Sequence, residues 1–334
     1  MAGQLTATTI VAAPRRVRRN ARRGAGTLAQ AVVVAFGSTF AIFVVMRVIP
    51  GDPARILAGP GGAVSDEQVA RTRAELGLDQ PLLVQYWDWI SSAARGDFGD
   101  SLVLNDSVAT LLGDRLVITL QLAVYSFTLA VLVAVPLAVA SARWRGAVAE
   151  KVARLIGALG VAVPSFWLAI LLIVAFQGIL PTYGYTPLTE DPVEHFRMMV
   201  LPATALGAVF ATLVFETTRA GLIETLQSDY VRTAHAFGIS KLRIHSRYAL
   251  RNALLPTLTI FGLEFGSLIA GALLVENAFA IPGMGRLVVQ GVLSRDYPVV
   301  QACILVIVVA FVTVNLLTDA INAMVDPRVR RDRA

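Results

Sequence analysis

The chain has 334 residues, 56% of them hydrophobic, and a formal net charge of +6. That is too apolar for a soluble domain of this length and points to a multi-span membrane protein. The arginines flank apolar runs, which excludes nucleic acid as the reason for the basicity. Cys303 stands in an apolar run, so a disulfide framework is excluded and a buried, inert thiol is expected.

Residues 1–27 carry Arg15, Arg16, Arg18, Arg19, Arg22 and Arg23 with no acid among them, and read as a basic cytoplasmic arm. The apolar run Leu28–Val48, within a unit 28–49, is long enough to span a bilayer. It exceeds a signal-peptide core and lacks a clear small-x-small cleavage site, so an uncleaved first span is expected. Residues 50–115 are polar and acid-rich and form an extracytoplasmic loop unit. Two helices are expected there. One is Ser65–Leu76, with Ser65 as N-cap and Gln68 at the capping-box position, and the other is Leu82–Ala94.

The rest, residues 116–323, alternates apolar runs with short polar ones. Spans are expected at about Leu116–Ala140, at Ala153–Leu180 with a kink at Pro164, and at Met199–Ala220. A fifth is expected from Pro256, at its first turn, to Val275, and a sixth over Val299–Ala323. Residues 276–298 read as an outer loop with turns at Pro282, Gly283 and Gly285, and Tyr297–Pro298 as a turn before the last span. Residues 324–334 form a basic tail. Every expected inner segment is basic, and every outer one is acidic or balanced. Six spans with both termini cytoplasmic therefore satisfy the positive-inside rule throughout.

Between the fourth and fifth spans lies a cationic island, the loop 221–255. Tyr230, Ala234 and Phe237 recur at i, i+4 and i+7, on one face of a short helix that Gly238 stops. Ser240 then caps a second helix carrying Arg243, Arg247 and Arg251 as one basic stripe. The small side chains of Ala234 and Ala236 allow another surface to come close. From the residues alone, docking of a protein and contact with lipid headgroups both remain open.

The island resembles the coupling loop of bacterial ABC importer permeases. It has Ala234-His235-Ala236-Phe237-Gly238, then Leu255-Pro256. Three more blocks carry the resemblance to the dipeptide, oligopeptide and nickel branch, first-permease type. They are Pro50-Gly51-Asp52-Pro53; Leu76-Gly77-Leu78-Asp79-Gln80-Pro81, running through Gln85-Tyr86-Trp87 to Gly96-Asp97-Phe98-Gly99-Asp100-Ser101; and Gly271-Ala272 through Glu276 and Pro282-Gly283-Met284-Gly285 to Arg295-Asp296-Tyr297-Pro298, closing with Asp326-Pro327-Arg328. The likeness covers the chain from Leu28 onward.

The resemblance implies an all-α polytopic fold of six transmembrane helices, a type I ABC importer permease with an extracytoplasmic loop unit after the first. It implies a coupling helix formed by Asp229, Tyr230, Arg232, Ala234, His235, Ala236, Phe237 and Gly238, docked on a cytoplasmic ATP-binding subunit. It also implies a second homologous permease, two ATP-binding subunits (or one fused chain) that bind ATP and Mg, an extracytoplasmic substrate-binding protein, and a place in the bacterial plasma membrane. The family shows an arginine and a lysine where His235 and Phe237 stand here, and often an arginine at the place of Glu216.

No enzyme motif is found. Lys151 and Lys241 are not preceded by glycine as a phosphate-cradling loop requires. His195, His235 and His245 lack metal spacing and read as solvated surface histidines. Glu264, Gly266, Gly271 and Asn315 are the translocation-path candidates. A carboxylate at membrane depth is costly unless paired or hydrated, so Glu264 reads either as lining a path or as paired at an interface. Gly266, Ala270 and Gly271 equally permit close helix packing, and Gln121 and Asn315 permit bonds between helices. Glu216 reads as a paired or surface group, since Arg219 is near. The function expected is a permease subunit of an ATP-driven importer of di- or oligopeptides. An importer of nickel complexes or glutathione, an ion-coupled transporter using Glu264 and Glu216, and a non-transporting scaffold are the alternatives.

Overall fold

A backbone in hydrocarbon finds no water, so it must close its own hydrogen bonds. The computed structural model describes residues 32–48, 54–55, 65–75, 77–143, 162–240 and 243–325, with isolated positions between 148 and 160. The regular structure within them is helical, with one isolated antiparallel bridge between Asp100 and Ser107. The chain runs through α1 (Val32–Val48), α2 (Asp66–Glu75), α3 (Leu82–Ala93), α4 (Val108–Arg143) and α5 (Ser165–Phe176). It continues through α6 (Pro192–Leu226), α7 (Asp229–Ala236), a π-helical turn (Ile244–Ala249), α8 (Leu250–Ala278), α9 (Met284–Ser294) and α10 (Tyr297–Val325). Four helices, in α4, α6, α8 and α10, are long and apolar enough to cross a membrane. The shorter apolar helices α1 and α5 lie within the expected first and third spans. The basic arm, the block Pro50–Pro53, Trp144 and Arg145, much of the third span before Pro164, and the tail from Asp326 lie outside the described residues.

Local signals set the helix starts. At α2, Ser65 Oγ accepts from Gln68 N at 3.2 Å and Gln68 Oε1 accepts from Ser65 N at 3.3 Å, the capping box expected there. Asp191 caps α6, accepting from Val193 N at 2.9 Å and Glu194 N at 3.0 Å, with Pro192 in the first turn. That cap moves the helix start outward from the expected Met199. Pro164 stands as the N-cap of α5, so the expected kink is a helix start.

The core lies where α4, α6 and α8 meet, closed on one side by α5. Phe127 of α4 stacks on Phe210 of α6 at 5.1 Å and meets Phe261 of α8 edge-on at 5.2 Å. Leu122, Ala205, Phe210, Val214 and Ala272 are fully or almost fully buried around them. Small residues at these crossings let apolar helices approach without a hydrophobic drive.

Four expectations are corrected. Pro256 lies inside α8, because the island's second helix and the fifth span are one helix continued through the π turn. The carbonyl that loses an N–H to Pro256 belongs to Asn252, which is exposed and open to water. The region 276–298 is not only loop: it contains the amphipathic helix α9, which ends at Arg295 in a left-handed conformation (φ 59). Tyr297 and Pro298 then open α10 rather than forming a turn. His195 is fully buried, not solvated. Its Nδ1 lies 2.7 Å from Thr186 O and its Nε2 lies 3.1 Å from Tyr125 Oη.

Candidate functional site

The knuckle α7 is short and sharply stopped. At Gly238 (φ +75) the backbone enters the left-handed region that glycine adopts without a Cβ clash. The turn it makes satisfies two helix carbonyls, with Ile239 N donating to Ala234 O at 3.1 Å and Gly238 N to His235 O at 3.0 Å. Such a double closure fixes the exit direction of the chain.

Burial shows how α7 is mounted. Val231 and Ala234 turn inward and pack with Ile244, Leu226 and Ile239. Ala234 is 8% exposed, so it does not present a small surface to a partner. Its small side chain lets the chain's own next segment come close, which corrects the expectation that it shares an outward face with Phe237. Asp229, Arg232, His235, Ala236, Phe237 and Gly238 are the exposed members. Phe237 is 82% exposed at the helix end, a large apolar group left in water. Tyr230 is partly exposed, and its hydroxyl accepts from Asn252 Nδ2 at 2.8 Å, tying α7 to α8. The Arg232–Asp229 pair at 3.6 Å is open to solvent and adds little.

The base beneath the knuckle is stiff. Leu222 of α6 packs with Ala142, Ala249 and Ala253. A Cβ on Gly221 would stand 3.1 Å from Ala253 Cα, so the two backbones nearly touch. Thr218 and Thr257 hydroxyls lie 3.2 Å apart, and Arg219 Nε donates to Ser141 Oγ at 3.0 Å. These contacts join α6, α8 and α4 at the base of α7.

The path candidates are dispersed. Gly266 is buried against Phe311 of α10, where a Cβ would stand 2.7 Å from Cδ2. A Cβ on Gly271 would stand 3.3 Å from Leu206 Cδ1 of α6. Both sit at helix crossings within this chain. Glu264 is half-buried on α8, and Asn315 holds a buried Oδ1 that has no hydrogen-bond partner among the described residues. Glu216 is exposed and, among the described residues, makes no ion pair with Arg219.

Two carboxylates that sequence reasoning quoted only as parts of motifs organise the opposite end. Glu276 is fully buried. It accepts from Thr119 Oγ1 at 2.6 Å, from Gly285 N at 2.8 Å and from Arg286 N at 3.3 Å. Thr119 Oγ1 in turn accepts from Met284 N at 2.8 Å. Glu276 thus caps α9, where unsatisfied N–H groups favour an anion. Asp296 is 1% exposed and accepts from Ser101 Oγ at 2.5 Å and Leu102 N at 3.2 Å. That joins the Gly96–Ser101 block to the Arg295–Pro298 block. Among the described residues no group of three or more His, Cys, Asp or Glu side chains is placed to hold a metal ion.

Helices that cross a membrane, a stopped knuckle at one end and capped loop motifs at the other agree with comparison to known proteins. Residues 134–331 match the family described as binding-protein-dependent transport system inner membrane component. Residues 19–123 match its N-terminal membrane component family. A protein of Brucella abortus (strain 2308) named as a peptide transport system permease is 39% identical over 91% of this chain and 98% of its own length. The glutathione transport system permease protein GsiC of Escherichia coli (strain K12) is 40% identical over 86% of this chain and 92% of its own length. The chain belongs to the binding-protein-dependent transport system inner-membrane component family, the permease subunits of ABC importers, which are membrane components and not enzymes.

Proposed function

We propose that this chain is one permease subunit of an ATP-driven importer of di- or oligopeptides, and that α7 is the helix through which a separate ATP-binding subunit moves it. The observation that carries the reading is the mounting of α7. Its inner face is packed on Leu226 of α6 and Ile244 of the π-helical turn, while Arg232, His235, Ala236 and Phe237 are left to solvent. The likeness to peptide permeases over most of the chain supports the substrate class. A glutathione permease at similar identity makes that tripeptide the second substrate to assay.

In this reading residues 1–27 and 324–334 are cytoplasmic, six spans cross the membrane, and 50–115 face outward toward a substrate-binding protein. A second, homologous permease completes the path. Two cytoplasmic ATP-binding subunits, or one fused chain, hold ATP and Mg. ATP binds their closed form more tightly, and that differential affinity is what can move α7. The stiff seat of α7 passes the motion to α6 and α8, and a path beside Glu264 and Asn315 opens alternately to each side.

The test is the assembled transporter in proteoliposomes, with Phe237→Glu and Ala236→Pro. Substrate-stimulated ATPase and peptide uptake should fall together by at least about tenfold, since a charge or a broken turn at an anchor that docking would bury costs about 1.4 kcal/mol or more. Unchanged uptake and ATPase in both variants would sink the docking assignment. A substrate panel of dipeptides, oligopeptides and glutathione identifies the cargo.

A further inference from the structure

Helix α3 carries two stripes that the transport reading leaves unexplained. Gln85, Asp88 and Ser92 recur at i, i+3 and i+7 and form a polar side. They line a cavity of about 370 Å³ together with Arg47 and Asp97. Leu83, Trp87 and Ile90 recur at i, i+4 and i+7 on the opposite side. Leu83 and Trp87 are exposed by 70% and 65%, and the exposed Leu82 and Val84 widen the patch. Large apolar groups clustered on one side of an amphipathic helix mark a surface that something apolar covers.

The way α3 is held identifies what covers it. On its polar side, Gln85 Oε1 accepts from Arg47 in the last turn of α1 at 3.0 and 2.8 Å. Tyr86, which lies between the two stripes, reaches a different level of α1. Its hydroxyl is 2.9 Å from Thr39 Oγ1 and 3.3 Å from Phe36 O, and its ring meets Phe40 edge-on at 5.1 Å. Those positions precede Arg47 by about 12–16 Å of helix. Crossing α3 from Gln85 through Tyr86 to the Leu83–Trp87 stripe therefore leads from the end of an apolar helix toward its middle. Val33, Phe36 and Phe40 of α1 are themselves exposed, so the apolar surface of α1 continues through Tyr86 onto α3. We propose that α3 is a membrane-interface anchor lying in the outer leaflet. Leu83, Trp87 and Ile90 sit among acyl chains, Gln85, Asp88 and Ser92 face water, and the segment 50–115 is thereby held down on the bilayer. The inference rests on the reading that α1 crosses the membrane with Val48 outward. It uses nothing about cargo or the ATP-binding subunit.

The test uses the assembled transporter in lipid nanodiscs, with Cys303→Ala and cysteine-free partner subunits. Leu83→Cys, Trp87→Cys, Asp88→Cys and Val45→Cys, one at a time, carry a spin label. All four side chains are exposed, so the labelled variants should fold. Collision with oxygen, which concentrates in lipid, and with water-soluble chromium oxalate gives the depth of each label. Labels at 83 and 87 should lie about 5–10 Å below the headgroups, and the label at 88 at or above them. The label at 45 reports α1 separately. Oxygen contact at 45 with chromium oxalate contact at 83 and 87 overturns the anchor and leaves the span reading standing. Chromium oxalate contact at 45 overturns the span reading and the anchor with it. Immobile labels at 83 and 87, shielded from both reagents, would show the second permease or the substrate-binding protein on this face and also overturn the proposal.

Discussion

A carboxylate at membrane depth invites a role in transport, and Glu276 separates that role from a structural one. It is fully buried and accepts from three donors, Thr119 Oγ1, Gly285 N and Arg286 N. Glu276→Ala strands all three, and at about 1 kcal/mol for each stranded donor the loss is roughly 3 kcal/mol. Thr119→Val strands Met284 N and one carboxylate lone pair, costing about 2 kcal/mol. The two deletions share one bond, so the double variant should be less damaged than their sum by about 1 kcal/mol or more. Detergent-titration unfolding of the purified chain measures the cycle, and amide exchange over Met284–Ser294 localises it to α9. Additivity within about 0.3 kcal/mol would refute the clamp.

Three further outcomes follow from the same geometry. Gly238→Ala places a Cβ at φ +75 and should cost about 1 kcal/mol, read as roughly fivefold faster amide exchange over residues 234–239. Asp296→Asn turns an N–H₂ toward Ser101 or Leu102 and should cost about 2 kcal/mol, seen as roughly tenfold or faster proteolysis of the segment before α4. His195→Leu leaves Thr186 O and Tyr125 Oη unpaired and should lower stability by about 2 kcal/mol, with Tyr125→Phe costing less because Thr186 keeps its partner.

The features legible in the sequence are those written in neighbouring residues. Apolar runs located the helices that cross, Ser65 and Gln68 announced a capping box that forms, and Gly238 marked the end of α7. What escaped depends on partners distant in the chain. Pro282-Gly283-Met284-Gly285 reads as turns, because the cap that makes it a helix start is Glu276 on the preceding helix, helped by Thr119 on α4. His195 sits among charged neighbours and looks solvated, yet its contacts are Tyr125 and Tyr185 from other segments. Ala234 shows the limit of a small-residue signal. It says that something comes close, and here that something is Ile244 of the same chain.

The central claim is that the exposed side of α7 seats on a nucleotide-hydrolysing subunit. A photo-crosslinking residue at position 237 in the assembled transporter tests it directly. The account predicts a crosslink to the ATP-binding subunit whose yield changes between nucleotide-free and ATP-bound states. Crosslinks to lipid alone, or to an extracytoplasmic protein, would contradict it.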